Sequence, residues 1–304
     1  MTRAITRRSI LIMAGASALA LSPVAALASG ERLLRWRGTA LGGSAEMLLD
    51  IADRRRGEAL LARALAEIER LEGVFSLYRP DSALARLNRA GRLDMPPPEL
   101  LDVLALARRI WQASKGAFDP MVQPLWDHFA AQGDPGSLKA ILPLVDFGHV
   151  AFDSERIVFG RSGMAMTLNG IAQGAITDRI ADLLAAEGLT HSLIALGEMR
   201  ALDGRPDGTS WPVGIEGTGD EMPLAGNALA VSRGGGTLLP RGGSHIFDPR
   251  TGNSVPASRI VAVRAPRAAL ADGLSTALMA MDGPDAADLL TAFPGVDVRI
   301  HDAV

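Results

Sequence analysis

Apolar positions recur along the chain in two rhythms. Over residues 58–71, Leu60, Leu61, Ala64, Leu65, Ile68 and Leu71 keep the three-and-four spacing of a helix with one buried face, and Gly73 marks its predicted end. The same spacing predicts helices over 98–113, entered through Pro96-Pro97-Pro98, and over 171–186, 268–281 and 284–292. Shorter apolar runs bounded by turn residues predict strands. Residues 33–40 and 45–51 read as a hairpin around Gly42-Gly43, and further strands are predicted at 164–168, 192–196, 212–215, 228–231, 260–264 and 296–300. Helices interleaved with strands that do not look parallel predict an α+β fold with mixed α/β layers. There is no internal repeat, no low-complexity linker and no clear second domain, so one large domain is expected.

The first 28 residues stand apart from that pattern. Arg7-Arg8 precede an apolar run at 10–20, and Ala26-Leu27-Ala28 has the small-x-small form of a cleavage site. Ser17, Ser22 and Pro23 interrupt the apolar run, which falls short of the roughly 18 or more residues of a membrane span. The expectation is a twin-arginine export signal over 1–28, a mature domain over 29–304 located in the periplasm, and no direct membrane anchor. Loss of Arg3, Arg7 and Arg8 takes the formal net charge from −3 to −6. With no basic stripe, one Tyr and four Trp, nucleic acid is excluded as a partner. Zero cysteines remove disulfides, thiolate metal sites, a cysteine nucleophile and a lipidated cysteine.

Candidate chemistry concentrates in Ser-His-Ile-Phe-Asp-Pro-Arg-Thr-Gly, residues 244–252. His245 can accept a proton near neutral pH, Asp248 can orient it or cap the turn, and Pro249 and Gly252 shape the turn around Arg250. A polar turn with a structural His245–Asp248 pair is the competing reading of the same string. A second candidate is the predicted strand 164–168 turning at Asn169-Gly170 into a helix, whose start is suited to phosphate.

Five ordered segments together resemble one family. They are Phe75-Ser76-Leu77-Tyr78-Arg79-Pro80 with Ser82 and Leu87-Asn88; Gly116-Ala117-Phe118-Asp119-Pro120; Leu168-Asn169-Gly170-Ile171-Ala172-Gln173-Gly174 with Asp178; the 244–252 string preceded by Ala228-Leu229-Ala230-Val231-Ser232; and Ala271-Asp272-Gly273-Leu274-Ser275-Thr276-Ala277-Leu278. This ordered set resembles the ApbE family of FAD:protein FMN transferases, also called the thiamine-biosynthesis lipoprotein family. The resemblance implies an enzyme that uses Mg²⁺ to move FMN from FAD onto a threonine hydroxyl of an acceptor protein, releasing AMP. The wording of the third and fourth segments is similar to variants found beside nitrous oxide reductase, which implies the periplasmic domain of a membrane-bound flavoprotein as acceptor.

Carried onto this chain, the resemblance implies flavin contacts from Tyr78, Ala117, Phe118 and Asp119, further FAD contacts from Thr167, Gln173 and Ser232, and a phosphate contact from Arg250. It implies a metal held by Asp272, Thr276, a backbone carbonyl near Gly170 and, where other members often carry a carboxylate, Ser275. Asp272 and Thr276 lie four apart on one helical face and offer the oxygen ligands Mg²⁺ prefers. They also suit an ordinary first helical turn. His245 is the expected general base toward the acceptor hydroxyl, with Asp248 beside it. Thr167, Gln173, Ser275, Arg233 and Glu198 depart from the residues more frequent at their positions, so a flavin-binding carrier and an FAD pyrophosphatase stand as alternative readings.

Overall fold

The computed structural model describes residues 32–240 and 242–302, and the expected export signal lies outside the described residues. The chain begins with the expected hairpin, β1 (Leu33–Ala40) against β2 (Gly43–Asp50). Its turn places Leu41 at φ 55° and Gly42 at φ 78°, the left-handed pair that matches the twist of two adjoining strands. Helix α1 (Arg54–Phe75) starts where the Asp53 carboxylate accepts the Arg56 N–H at 3.1 Å. It runs through Gly73 instead of stopping there. A Cβ at Gly73 would meet nothing within 4 Å, so the glycine imposes no turn, and burial of Val74 and Phe75 carries the helix on.

The elements that follow are α2 (Ala83–Ala90), β3 (Arg92–Asp94), α3 (Pro98–Ala113), α4 (Gln123–Ala130), α5 (Leu138–Ile141), β4 (Val150–Phe152) and β5 (Arg156–Phe159). After them come α6 (Ala172–Ala186), β6 (Leu193–Ala195), β7 (Met199–Ala201), β8 (Ala228–Arg233), β9 (Ile260–Ala265), α7 (Ala268–Leu278), α8 (Gly283–Thr291) and β10 (Asp297–His301). A seven-stranded sheet in the order β1-β2-β6-β7-β8-β9-β10 is antiparallel throughout, and β3-β5-β4 form a small antiparallel sheet beside it.

Both faces of the large sheet are covered. Met47, Leu49, Ala230, Val261 and Val263 point into the main core under the helices. Leu48, Leu229, Val231 and Ala262 point the other way, against Trp211, Val213, Ile215, Met222 and Leu224. Two-sided burial explains why β8 reads as an almost unbroken apolar run.

Two predicted strands are not strands. Residues 164–168 are extended, but the Asn88 amide brackets Met166, accepting its N–H at 2.8 Å and donating to its carbonyl at 2.8 Å, while Thr167 N–H donates to the Pro120 carbonyl at 2.8 Å. Burial of Met164, Met166 and Leu168 produces the alternation without a ladder. Residues 212–215 lie between isolated bridges, Trp211 with Leu224 and Gly214 with Glu221.

Helices α6 and α7 cap each other. Asp178 on α6 accepts the backbone N–H of Ala268 at 2.9 Å and of Ala269 at 3.0 Å, at the start of α7. Asp272 on α7 accepts the Gly174 N–H at 3.1 Å, in the first turn of α6. A Cβ at Gly174 would lie 2.4 Å from the Ala268 carbonyl oxygen, so only glycine permits this approach. Buried Asp178 also pairs with Arg200 on β7, which ties the helix pair to the sheet.

Candidate active site

A cavity of about 150 Å³ opens where the 164–170 segment, α6, α7, the end of β8 and the 236–249 loop converge. One corner is polar. Asp272 and Thr276 sit one turn apart on α7, and a Cβ built on Gly170 would come within 2.8 Å of the Thr276 hydroxyl, so the absence of a side chain there leaves the Thr276 oxygen and the Gly170 backbone close together. Glu198, which follows the left-handed Gly197 (φ 100°), reaches the same cavity. Its carboxylate accepts the Val231 N–H, while Oε2 is buried without a hydrogen-bond partner. Burial pushes the carboxyls of both Asp272 and Glu198 well above the usual range, and the Asp272 charge raises Glu198 further. Ser275 does not join this corner, contrary to expectation. Its hydroxyl donates to the Asp272 carbonyl at 3.0 Å and lies 2.8 Å from the Ser232 hydroxyl, which holds α7 against β8.

The loop side of the cavity carries His245. Its Nδ1 lies 3.0 Å from the Thr237 carbonyl, an acceptor, so the ring proton sits on Nδ1 and Nε2 keeps its lone pair. Burial lowers the imidazole pKa below its ordinary 6.5, and the ring is neutral at pH 7. Asp248 does not orient it. The Asp248 carboxylate instead takes Arg250 Nε at 2.8 Å and Nη2 at 3.0 Å, and Arg250 Nη2 also donates to the Ala280 carbonyl at 2.7 Å. The expected phosphate contact from Arg250 is therefore replaced by a clamp that closes the turn onto the segment following α7. Arg233, at the end of β8, likewise directs its guanidinium to the Glu216 carbonyl.

Ala117, Phe118, Val122, Trp126, Phe247 and Pro249 give the cavity a broad apolar face suited to a planar ring system. Phe118 is fixed by its N–H donating to the Ser114 hydroxyl at 3.0 Å. Asp119 stands at this wall with both oxygens engaged, accepting from Trp111 Nε1 at 3.0 Å and from the N–H groups of Met121 at 2.8 Å and Phe147 at 2.9 Å. It braces the wall internally, and burial lifts its pKa to about 6. Tyr78, 47% exposed, hydrogen-bonds the Asn169 side chain at the cavity mouth. Thr167 accepts the Asn169 N–H at 3.3 Å, and Gln173 lies across Gly197, where a Cβ would come within 3.0 Å of its amide. Tyr78, Asn169 and Gln173 also border a second cavity of about 250 Å³, floored by Leu41, Phe75 and Ile176.

Thus Tyr78, Ala117, Phe118, Asp119, Thr167, Gly170, Gln173, Ser232, His245, Asp272 and Thr276 line one cavity, whereas Ser275, Asp248 and Arg250 turn away. Sequence reading missed Glu198 and Trp126 as cavity residues. The signal for Glu198 was a lone carboxylate inside the apolar run of β6 and β7. Among the described residues, no group of three or more His, Cys, Asp or Glu is clustered as for a metal, so any cation here draws on hydroxyl and carbonyl oxygens as well.

Residues 42–300 match the ApbE family. An FAD:protein FMN transferase of Treponema pallidum is 32% identical over 277 residues, spanning 79% of this chain and 76% of the relative. One from Klebsiella pneumoniae is 26% identical over 295 residues, spanning 86% and 80%. The solved flavin transferase ApbE from Vibrio cholerae shares the fold at TM-score 0.75 with 23% identity, over 88% of this chain and 93% of that one. The apo flavinyl transferase ApbE of Pseudomonas stutzeri does so at TM-score 0.76 with 24% identity, over 89% and 95%.

Proposed function

We propose, from the premise that the chain belongs to the ApbE family and is an FAD:protein FMN transferase, that it works with Mg²⁺ on a serine or threonine hydroxyl of an exported acceptor flavoprotein and releases AMP. The acceptor oxygen forms a bond to the phosphorus of the FMN half, and the bond from that phosphorus to the AMP phosphate oxygen breaks. The hydroxyl proton passes to His245 Nε2, which Thr237 and burial keep unprotonated at neutral pH. The apolar face around Phe118 and Trp126 takes the isoalloxazine ring.

Asp272, Thr276 and the backbone at Gly170 fit Mg²⁺ by their chemistry, since they line one cavity, the Gly170 backbone passes close to the Thr276 hydroxyl, and carboxylate, hydroxyl and carbonyl oxygens are the donors this ion prefers. When bound, the cation neutralises the pyrophosphate charge and steadies the departing AMP. Ser275 has no part in holding it. The observation that carries this reading is that one cavity holds a histidine with an available Nε2 and an oxygen-rich corner against a broad apolar wall.

The twin-arginine pattern at 1–28 supports action in the periplasm, and the likeness of the third and fourth segments supports the periplasmic domain of a membrane-bound flavoprotein, in nitrous oxide reductase maturation, as acceptor. Incubation of the chain with FAD, Mg²⁺ and such a domain tests the whole reading. An acceptor mass gain of one FMN, matched by AMP and abolished by a chelator, is expected. AMP without acceptor modification would point to FAD pyrophosphatase activity, and bound FAD with neither product to a carrier.

A further inference from the structure

Three carboxylates lie near the meeting point of α6 and α7, and they are handled differently. Asp178 has each oxygen on a backbone N–H and an arginine beside it. Asp272 has one oxygen on Gly174 N–H. Glu198 is 4% exposed, accepts the Val231 N–H, and among the described residues has no cation paired with it and no hydrogen-bond partner for Oε2. An orphaned carboxylate oxygen at such depth is costly relative to water unless something positive or a proton meets it. Glu198 also stands close enough to Asp272 to feel its charge, and both line the cavity that holds Thr276 and Gly170. The sequence around it strengthens the point: Gly197 is left-handed and cradles the Gln173 amide, a backbone detour that delivers the Glu198 side chain into the cavity.

We infer that Glu198 is the second carboxylate of the cation corner, placing its unpartnered Oε2 toward a divalent metal held opposite by Asp272 and Thr276. This rests on the Mg²⁺ reading above and adds a residue to it. Two buried carboxylates lining one cavity are costly without a cation and a natural arrangement with one. The corner then balances the charge of a divalent ion with two side chains, with Thr276 and the Gly170 carbonyl as neutral ligands.

Direct titration with Mn²⁺ alone, in the absence of FAD, tests this on the wild-type protein, Glu198→Gln, Glu198→Asp and Asp272→Asn, read by the paramagnetic signal of free Mn²⁺ and by the melting temperature. Glu198→Gln is expected to bind Mn²⁺ at least about tenfold more weakly, in the range seen when a metal's supporting groups are lost. It is also expected to gain less in melting temperature than wild type on adding Mn²⁺. Glu198→Asp keeps the charge and retains more of the affinity. If Glu198→Gln binds Mn²⁺ as tightly as wild type while Asp272→Asn does not, Glu198 is a protonated structural group and the inference falls with the cation reading intact. If wild type binds no Mn²⁺, the inference also falls, and the chelator arm of the FMN-transfer assay decides separately whether the reaction needs a metal.

Discussion

The two walls of the cavity are built in opposite ways. The α7 wall is a helix with nine of its eleven residues buried, locked to α6 by exchanged caps and to β8 by the Ser275–Ser232 contact. The His245 wall is a loop with Gly234, Gly235, Gly236, Gly242 and Gly243, held by isolated bridges between Leu238 and Ser244 and between Phe247 and Ser254. Side-chain geometry on the first wall is fixed by helix packing, and on the second by turn hydrogen bonds together with Leu239 and Phe247, which anchor the loop in a small core with Leu125 and Val145. A cation requires oxygens at set distances, whereas a base must meet the hydroxyl of an incoming protein. The difference teaches that the proposed cation corner rests on a packed helix pair, whereas the proposed base rests on a glycine-rich loop anchored at Leu239 and Phe247.

Substitutions can break that division. His245→Ala should lower the FMN-transfer rate by roughly 10²- to 10⁴-fold, the span of general-base catalysis, with almost no change in melting temperature. A large melting shift would show that the loop wall is structural after all. Asp178→Ala should act the opposite way, destabilising the fold by about 3–5 kcal/mol, because it strips both capping hydrogen bonds from the start of α7 and removes the nearer of the two carboxylates paired with the half-buried Arg200. Chemical denaturation measures this, and a loss below about 1 kcal/mol would break the claim that the α6–α7 junction is the rigid element.

Smaller effects sharpen the comparison. Gly170→Ala pushes a methyl to within 2.8 Å of the Thr276 hydroxyl, and overpacking of this kind costs about 1–3 kcal/mol. It should weaken Mn²⁺ binding while leaving the pH profile unchanged. That profile belongs to the other wall. His245 must be neutral to act, so the rate should rise with pH through a value below 6.5 and be level at pH 7. The stability sign agrees: the unfolded imidazole protonates first as pH falls below 6.5, so stability is full above that value and is lost on acidification until the buried ring protonates too. Survival of the same rise in His245→Ala would move the base elsewhere. Arg250→Ala removes a partly exposed ion pair and should cost under about 1 kcal/mol, with added salt shrinking the difference.

The helices were legible because their buried faces repeat without interruption, as in α3 with Leu100, Val103, Leu104, Ala107 and Ile110. The hairpin was legible from its turn. Residues 164–168 and 212–215 misled because alternating burial marks an extended chain between two surfaces, whether or not a neighbouring strand completes a ladder. At the site, residue types were readable and partners were not. Asp248 and His245 sit three apart in sequence, yet the turn hands Asp248 to Arg250 and leaves His245 to a carbonyl eight residues upstream. Glu198 looked like a departure from glycine because its meaning comes from Asp272, 74 positions later, on another element.

The exchanged caps of α6 and α7 also set an order of assembly. Asp178 reaches 90 residues ahead to Ala268, and Asp272 reaches 98 residues back to Gly174, so neither helix start is satisfied until the last third of the chain has been made and has returned. Contacts of that span close long loops, whose chain-entropy cost must be met before the contact contributes. A growing chain therefore lacks the oxygen-rich corner until residues 268–276 have been made.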